Sequence, residues 1–122
     1  HVFLGHVDSG GSVLSVTKRG KENDFLISFP AALKPYILEK GSIAVDGVSL
    51  TLGKIMDNRF WMHCIPHTLK STNFDSFKKG VKVNLEADVL TKLAAKQFEA
   101  RRYTARTRKS GLKLIDNPCK AL

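Results

Sequence analysis

The side chains able to move a proton near neutral pH, or to bind a metal through nitrogen or sulfur, are few: His1, His6, His63 and His67, with Cys64 and Cys119 as the thiols. An unperturbed imidazole titrates near pH ~6.5, so each histidine is a candidate acid–base group. His63, Cys64 and His67 are close enough in sequence to raise the question of a zinc site. Strand alternation sends His63 and Cys64 to opposite faces, and Pro66 forbids the helix that would stack His63 on His67. No metal site is therefore expected. His6, in Gly5-His6-Val7-Asp8, is either an ordinary loop histidine or a ligand contact. Ser49 and Thr51 place two hydroxyls on one side of a strand whose other side is Val48, Leu50 and Leu52; they are a solvated face or a row of hydrogen-bonding groups for a ligand. Asp88 stands just before a helical run, as an N-cap or as a site carboxylate. Trp61, Phe74 and Phe77 read as packing residues rather than a stacking box.

These groups need a scaffold, and the first ninety residues read as short strands. Ser12–Thr17 and Asp24–Phe29 are β-rich runs joined by the charged loop Lys18–Asn23. Pro30 ends the second run, and Ala31–Tyr36 forms at most one helical turn. Ser42–Val45 and Val48–Leu52 flank Asp46-Gly47, a dipeptide suited to the positive φ angles of a type I′ turn. A second hairpin pairs Leu50–Met56 with Phe60–Ile65, and a short helical turn is expected at Thr68–Thr72. Val81–Ala87 is the last strand, with Val81, Val83, Leu85 and Ala87 on one face and Lys82, Asn84, Glu86 and Asp88 on the other. One apolar face per strand, six strands and little helix predict an all-β fold, a six-stranded antiparallel Greek-key barrel. Leu90, Leu93, Ala94 and Phe98 have helical spacing. The organisation expected is a barrel over 1–88, a C-terminal helix over 89–103 and a basic, flexible tail over 104–122.

A chain of 122 residues is one domain by length and buries enough surface to need no disulfide staple. The net charge of +9 resembles a nucleic-acid footprint until it is located. Residues 92–122 carry a net +7 and residues 1–91 only +2, so the excess is a basic tail on a nearly balanced body. No apolar run approaches the ~20 residues of a membrane span. Two cysteines in unlike surroundings, without a signal peptide, point to the cytoplasm, or to an organelle if a transit segment has been removed. The chain begins at His1 within a continuing pattern, which reads as a piece of a longer polypeptide.

Four segments in register carry a resemblance: Gly5-His6-Val7-Asp8, the run from Tyr36 to Thr51 (YILEKGSIAVDGVSLT), Ile65-Pro66-His67-Thr68-Leu69, and Val83-Asn84-Leu85-Glu86-Ala87-Asp88. Together they resemble the lumazine-binding domain of riboflavin synthase over roughly residues 1–92, more like the second (C-terminal) of its two barrels than the first. The resemblance implies conversion of two 6,7-dimethyl-8-ribityllumazine molecules into riboflavin and 5-amino-6-ribitylamino-pyrimidinedione, the last step of riboflavin biosynthesis, with no metal or organic cofactor. It implies a composite active site completed by an N-terminal barrel absent from this chain and by neighbouring subunits of a homotrimer. It also implies that Gly5, His6 and Val7 line the ligand pocket and that Lys40 reaches ribityl or ring oxygens. Ser49 and Thr51 would hydrogen-bond the ligand, and Ile65, Pro66, His67 and Thr68 would cover the ring edge. His6, Ser49 and Asp88 would stand at the reacting end as catalytic residues. The chemistry requires loss of a proton from a 7-methyl group and addition of a nucleophile to the second ring, and most of the gain is expected from holding two heterocycles face to face.

Three functions of different class follow. The chain is half of an enzyme, or a non-catalytic lumazine- or flavin-binding module, or a nucleic-acid-binding barrel. The last predicts binding that falls steeply with salt, yet the strands lack the aromatic stripe such barrels use for stacking.

Overall fold

Alternation of apolar and polar residues organises the chain as expected. The computed structural model describes residues 1–109. Seven strands form one antiparallel sheet: β1 (Ser9–Arg19), β2 (Glu22–Ser28), β3 (Ser42–Val45), β4 (Val48–Thr51), β5 (Ile55–Met56), β6 (Arg59–Cys64) and β7 (Lys82–Ala87). Their order is β4-β3-β7-β1-β2-β6-β5. The two outermost strands, β4 and β5, are consecutive in sequence, and the segment between them curls the sheet into a barrel. Leu52 N–H donates to Gly41 O at 2.8 Å and Lys40 N–H to Leu52 O at 2.9 Å; one residue later Gly53 N–H donates to Trp61 O at 2.8 Å. The chain thus changes partner from β3 to β6 at Gly53. A Cβ there would lie 2.8 Å from Trp61 O and 3.1 Å from His63 Nε2, so the crossing requires glycine. Counted as one continuous run, β4 and β5 give the six strands of the expected all-β barrel.

The interior is filled rather than hollow. Val13, Phe25, Ile27, Ile43, Val45, Leu52, Phe60, Met62, Cys64 and Leu85 are fully buried and converge from five strands and the β4–β5 corner. One end is plugged by Phe74 and Phe77, which meet Phe25 edge-on with ring centroids 6.3 and 5.6 Å away. Asp46 and Gly47 take φ of 46° and 80°, as the expected I′ turn demands. The β1–β2 hairpin is tighter than expected. Arg19 pairs with Glu22 across Gly20-Lys21, so Lys18 and Asn23 belong to strands rather than to a loop. Gly20, at φ 60°, makes that turn accessible.

A short helix, α1 (Pro66–Ser71), begins with proline at a first-turn position where no N–H bond is lost, and a 3₁₀ turn follows at Asn73–Ser76. The second helix, α2, spans Val89–Lys109. Its hydroxyls Thr104 and Thr107 bond back to the Ala100 and Tyr103 carbonyls, and no glycine or proline interrupts it. Residues 104–109 of the anticipated tail are therefore helical, and residues 110–122 lie outside the described residues. The compact barrel unit is His1–Lys92, and a second unit begins at Leu93. No helix among the described residues is long and apolar enough to cross a membrane.

Candidate functional site

Three carboxylates lash the first eight residues across the outer face of β7. Glu86 Oε2 accepts from Leu4 N–H at 2.7 Å and Gly5 N–H at 3.2 Å. Asp88 Oδ1 accepts from Val2 N–H at 3.2 Å, and Val89 N–H returns a bond to Val2 O at 3.0 Å. From the segment's own side, Asp8 Oδ2 accepts from Ala87 N–H at 2.7 Å, while Asp8 Oδ1 takes a short bond from Lys92 Nζ. Glu86 and Asp88 are consequently buried although both point away from the barrel interior.

This strap forms one wall of a cavity of about 370 Å³ on the outside of β3 and β7. Gly5 and Val7 stand on the strap side, Ala44 and Glu86 on the floor, and Asp46 and Asn73 on the far side. Asp46 fixes that far side: its carboxylate accepts from Asn84 N–H at 2.7 Å and Asn73 Nδ2 at 2.9 Å. Cross-strand register carries the floor onward. Glu86 pairs with Ala44, and Ala44 with Ser49. Residues directly opposite in an antiparallel ladder share a face, so Glu86, Ala44 and Ser49 form one row. With strands ~4.8 Å apart, Ser49 lies roughly 10 Å from Glu86. Thr51, opposite Ser42, continues the same face, and Ser49 and Thr51 are both exposed. What results is a polar shelf bearing the Ser49 and Thr51 hydroxyls and the Asn73 and Asn84 amide side chains.

Of the residues singled out in the sequence, Gly5 and Val7 line the cavity, and His6 stands between them with an exposed side chain. Ser49 and Thr51 share its shelf. Lys40 is at the β3 end, with φ 65° and its N–H on the Leu52 carbonyl beside Thr51. Ile65, Pro66, His67 and Thr68 lie at the start of α1, outside the cavity lining; Ile65 is 54% exposed. Asp88 is the N-cap of α2, accepting from Leu90 N–H at 3.0 Å, and its second oxygen lies 3.4 Å from His1 Nδ1. Asp46, Asn73, Asn84 and Glu86 were not among the expected site residues. For Asn84 and Glu86 the outward position on β7 was legible, and only the strap that buries Glu86 was not.

A separate polar cluster occupies the outer face of β1, β2 and β6. Asp24 is buried, accepts from Arg19 Nε at 2.5 Å and Nη2 at 3.0 Å, and faces His63 Nδ1 at 2.7 Å. The Arg19 hydrogen bond, and secondarily His63, holds the Asp24 carboxyl below its usual range against the opposing effect of burial. Cys64, alternating with His63, faces the interior, and burial pushes its thiol up to about 11.

The model of the lumazine binding domain matches residues 4–88. The chain is 41% identical over 92 residues to the riboflavin synthase of Photobacterium phosphoreum, covering 75% of this chain and 42% of that protein. To the riboflavin synthase of Mycobacterium tuberculosis it is 39% identical over 95 residues, covering 75% and 47%. The chain thus spans somewhat less than half the length of these curated relatives. Among solved structures it is similar to LumP complexed with 6,7-dimethyl-8-(1'-D-ribityl) lumazine, with a TM-score of 0.67, 26% identity and coverage of 72% of this chain and 49% of that one. LumP complexed with flavin mononucleotide shares the fold at a TM-score of 0.69 and 24% identity, over 71% and 49% of the two chains. With a match running from Leu4 through the end of β7 to Asp88, the chain belongs to the lumazine binding domain family.

Proposed function

We propose that this chain is one lumazine-binding half of a riboflavin synthase, and that it holds 6,7-dimethyl-8-ribityllumazine on the outer shelf of β4, β3 and β7. The observation that carries this reading is the continuity of the strap-walled cavity with Ser49 and Thr51 on one face. Gly5, His6 and Val7 border the ligand, Ser49 and Thr51 donate and accept hydrogen bonds, and Lys40 serves its oxygens. Ile65, Pro66, His67 and Thr68 cover the ring edge from α1. In the complete enzyme a second barrel brings another lumazine face to face with this one. One ring gives a four-carbon unit to the other, yielding riboflavin and 5-amino-6-ribitylamino-pyrimidinedione. Exposed His6 takes up or relays the methyl proton, Ser49 stabilises developing negative charge on oxygen, and Asp88 anchors the strap that carries His6. The larger share of the acceleration comes from orienting two heterocycles. Leu4 and Val7, 65% and 57% exposed at the cavity edge, support closure by another barrel, in the homotrimeric assembly that the resemblance implies. The free, buried Cys64 fits a reducing compartment, and the cytoplasm is the proposed location.

Structural likeness to LumP favours a second reading, a lumazine-binding protein without turnover. Fluorescence titration of the chain with 6,7-dimethyl-8-ribityllumazine, with riboflavin formation measured in parallel on the full-length protein, separates the two. Saturable binding by this chain with turnover in the longer protein supports the enzyme. Tight binding without turnover in either supports the carrier. Absence of saturable binding by both refutes the ligand reading.

A further inference from the structure

We infer that Glu86 is a positioning residue for the ligand site, acting through the strap rather than on ligand; the inference rests on the lumazine reading above. Glu86 is 7% exposed, and among the described residues no cation lies within ion-pair distance of its carboxylate. Such a group is costly to bury without strong donors. The donors are two consecutive backbone amides, Leu4 N–H and Gly5 N–H, which converge on the single oxygen Oε2 at 2.7 and 3.2 Å. Convergence of successive amides on one anion needs a backbone that turns back on itself, and Gly5 provides it with φ 77°. The carboxylate and the glycine therefore set the local shape of the strap together. That shape decides where the next two residues go: His6 to the exposed rim and Val7 to the cavity wall. The floor of the same cavity is Glu86 itself, with Ala44 and then Ser49 in register beside it. One side chain thus keys the strap to the strand row that carries the hydroxyls.

Both amides use one oxygen, so the bonds call for an acceptor at Oε2 and not for a full charge. Glutamine reproduces that oxygen, whereas alanine removes it. The test compares the wild-type chain with Glu86→Gln and Glu86→Ala by 6,7-dimethyl-8-ribityllumazine titration and by amide hydrogen exchange. In Glu86→Ala, exchange at Leu4 and Gly5 should rise about tenfold or more while the Phe25 and Met62 amides of the barrel stay protected, and affinity should fall about tenfold. Glu86→Gln should restore most of both. Unchanged affinity in Glu86→Ala with a loosened strap would overturn the inference and leave the ligand reading standing. A Glu86→Gln chain as impaired as Glu86→Ala would overturn it as well. Absence of lumazine binding by both the wild-type chain and the full-length protein would overturn the ligand reading, and with it this role.

Discussion

Asp24 gives the sharpest stability test because its environment is fully specified. Its carboxylate accepts two bonds from Arg19, at 2.5 and 3.0 Å, and faces His63 Nδ1 at 2.7 Å, joining β1, β2 and β6. Asparagine keeps the shape and one acceptor and removes the charge. Hydrogen bonds to a charged group contribute ~1.5–3 kcal/mol where solvent is excluded. Here the Arg19 and His63 side chains are 54% and 53% exposed, so solvent screening cuts the gain. Asp24→Asn should therefore cost about 1–2 kcal/mol at neutral pH, a fall in Tm of roughly 5–10 °C for a domain of this size. The pH dependence has a definite sign. The folded-state pKa of Asp24 is depressed below its ordinary 3.8. Its contribution is then complete above the unfolded value and is lost as pH falls through the lower folded value. Urea unfolding of the two chains should show a gap at about pH 5 and above that narrows below about pH 4. Equal stabilities at neutral pH would refute the reasoning, as would a gap that persists undiminished in strong acid.

Two further outcomes test the packing. Gly11→Ala places a Cβ 2.4 Å from Ser28 O and 2.8 Å from Leu85 Cδ1, so β1 must shift against β2; a loss of ~2–3 kcal/mol in urea unfolding is expected, and an unchanged midpoint would contradict the close approach. In a Cys119→Ser background, Cys64 should resist iodoacetamide in the folded chain, since burial pushes its thiol up to about 11, and should react at least about a hundredfold faster once urea unfolds the barrel.

The barrel was legible because each strand declares its faces. Phe60, Met62 and Cys64 alternate with Trp61 and His63 in sequence, and the first three fill the core. Asp46-Gly47 announced its turn through the one backbone conformation that such a pair favours. The β1–β2 loop expected from the sequence is too long because Lys18, Arg19, Glu22 and Asn23 have loop-like composition. They are strand residues here, as the Arg19–Asp24 pair illustrates, because charged side chains on the outer face cost a strand little. The sequence alone ends α2 too early because residues 104–109 are basic and polar like a tail, whereas their Ala, Arg and Lys have good helix propensity.

The site was harder to read than the barrel, for a physical reason. A two-residue period reports which way Glu86 and Asp88 point, and outward ordinarily means toward water. Both are nonetheless buried, because a segment 80-odd residues away in sequence and without periodicity of its own lies over them. Its cue is the chemistry of the amides of Val2, Leu4 and Gly5, which no side-chain pattern records. The consequence reaches function. A small barrel has its interior filled by side chains, and this one is filled by Phe25, Phe60, Phe74 and their neighbours. On the proposed reading, the ligand therefore sits outside, on a shelf walled on one side by the strap. A shelf of that kind leaves one face of a flat heterocycle open to water, whereas tight sites cover most of a ligand's surface. On the proposed reading, a second shelf bearing its own heterocycle closes the first. The same closure that buries each ligand also stacks the two reacting rings, so the external site of a filled barrel and a two-substrate reaction answer a single geometric constraint.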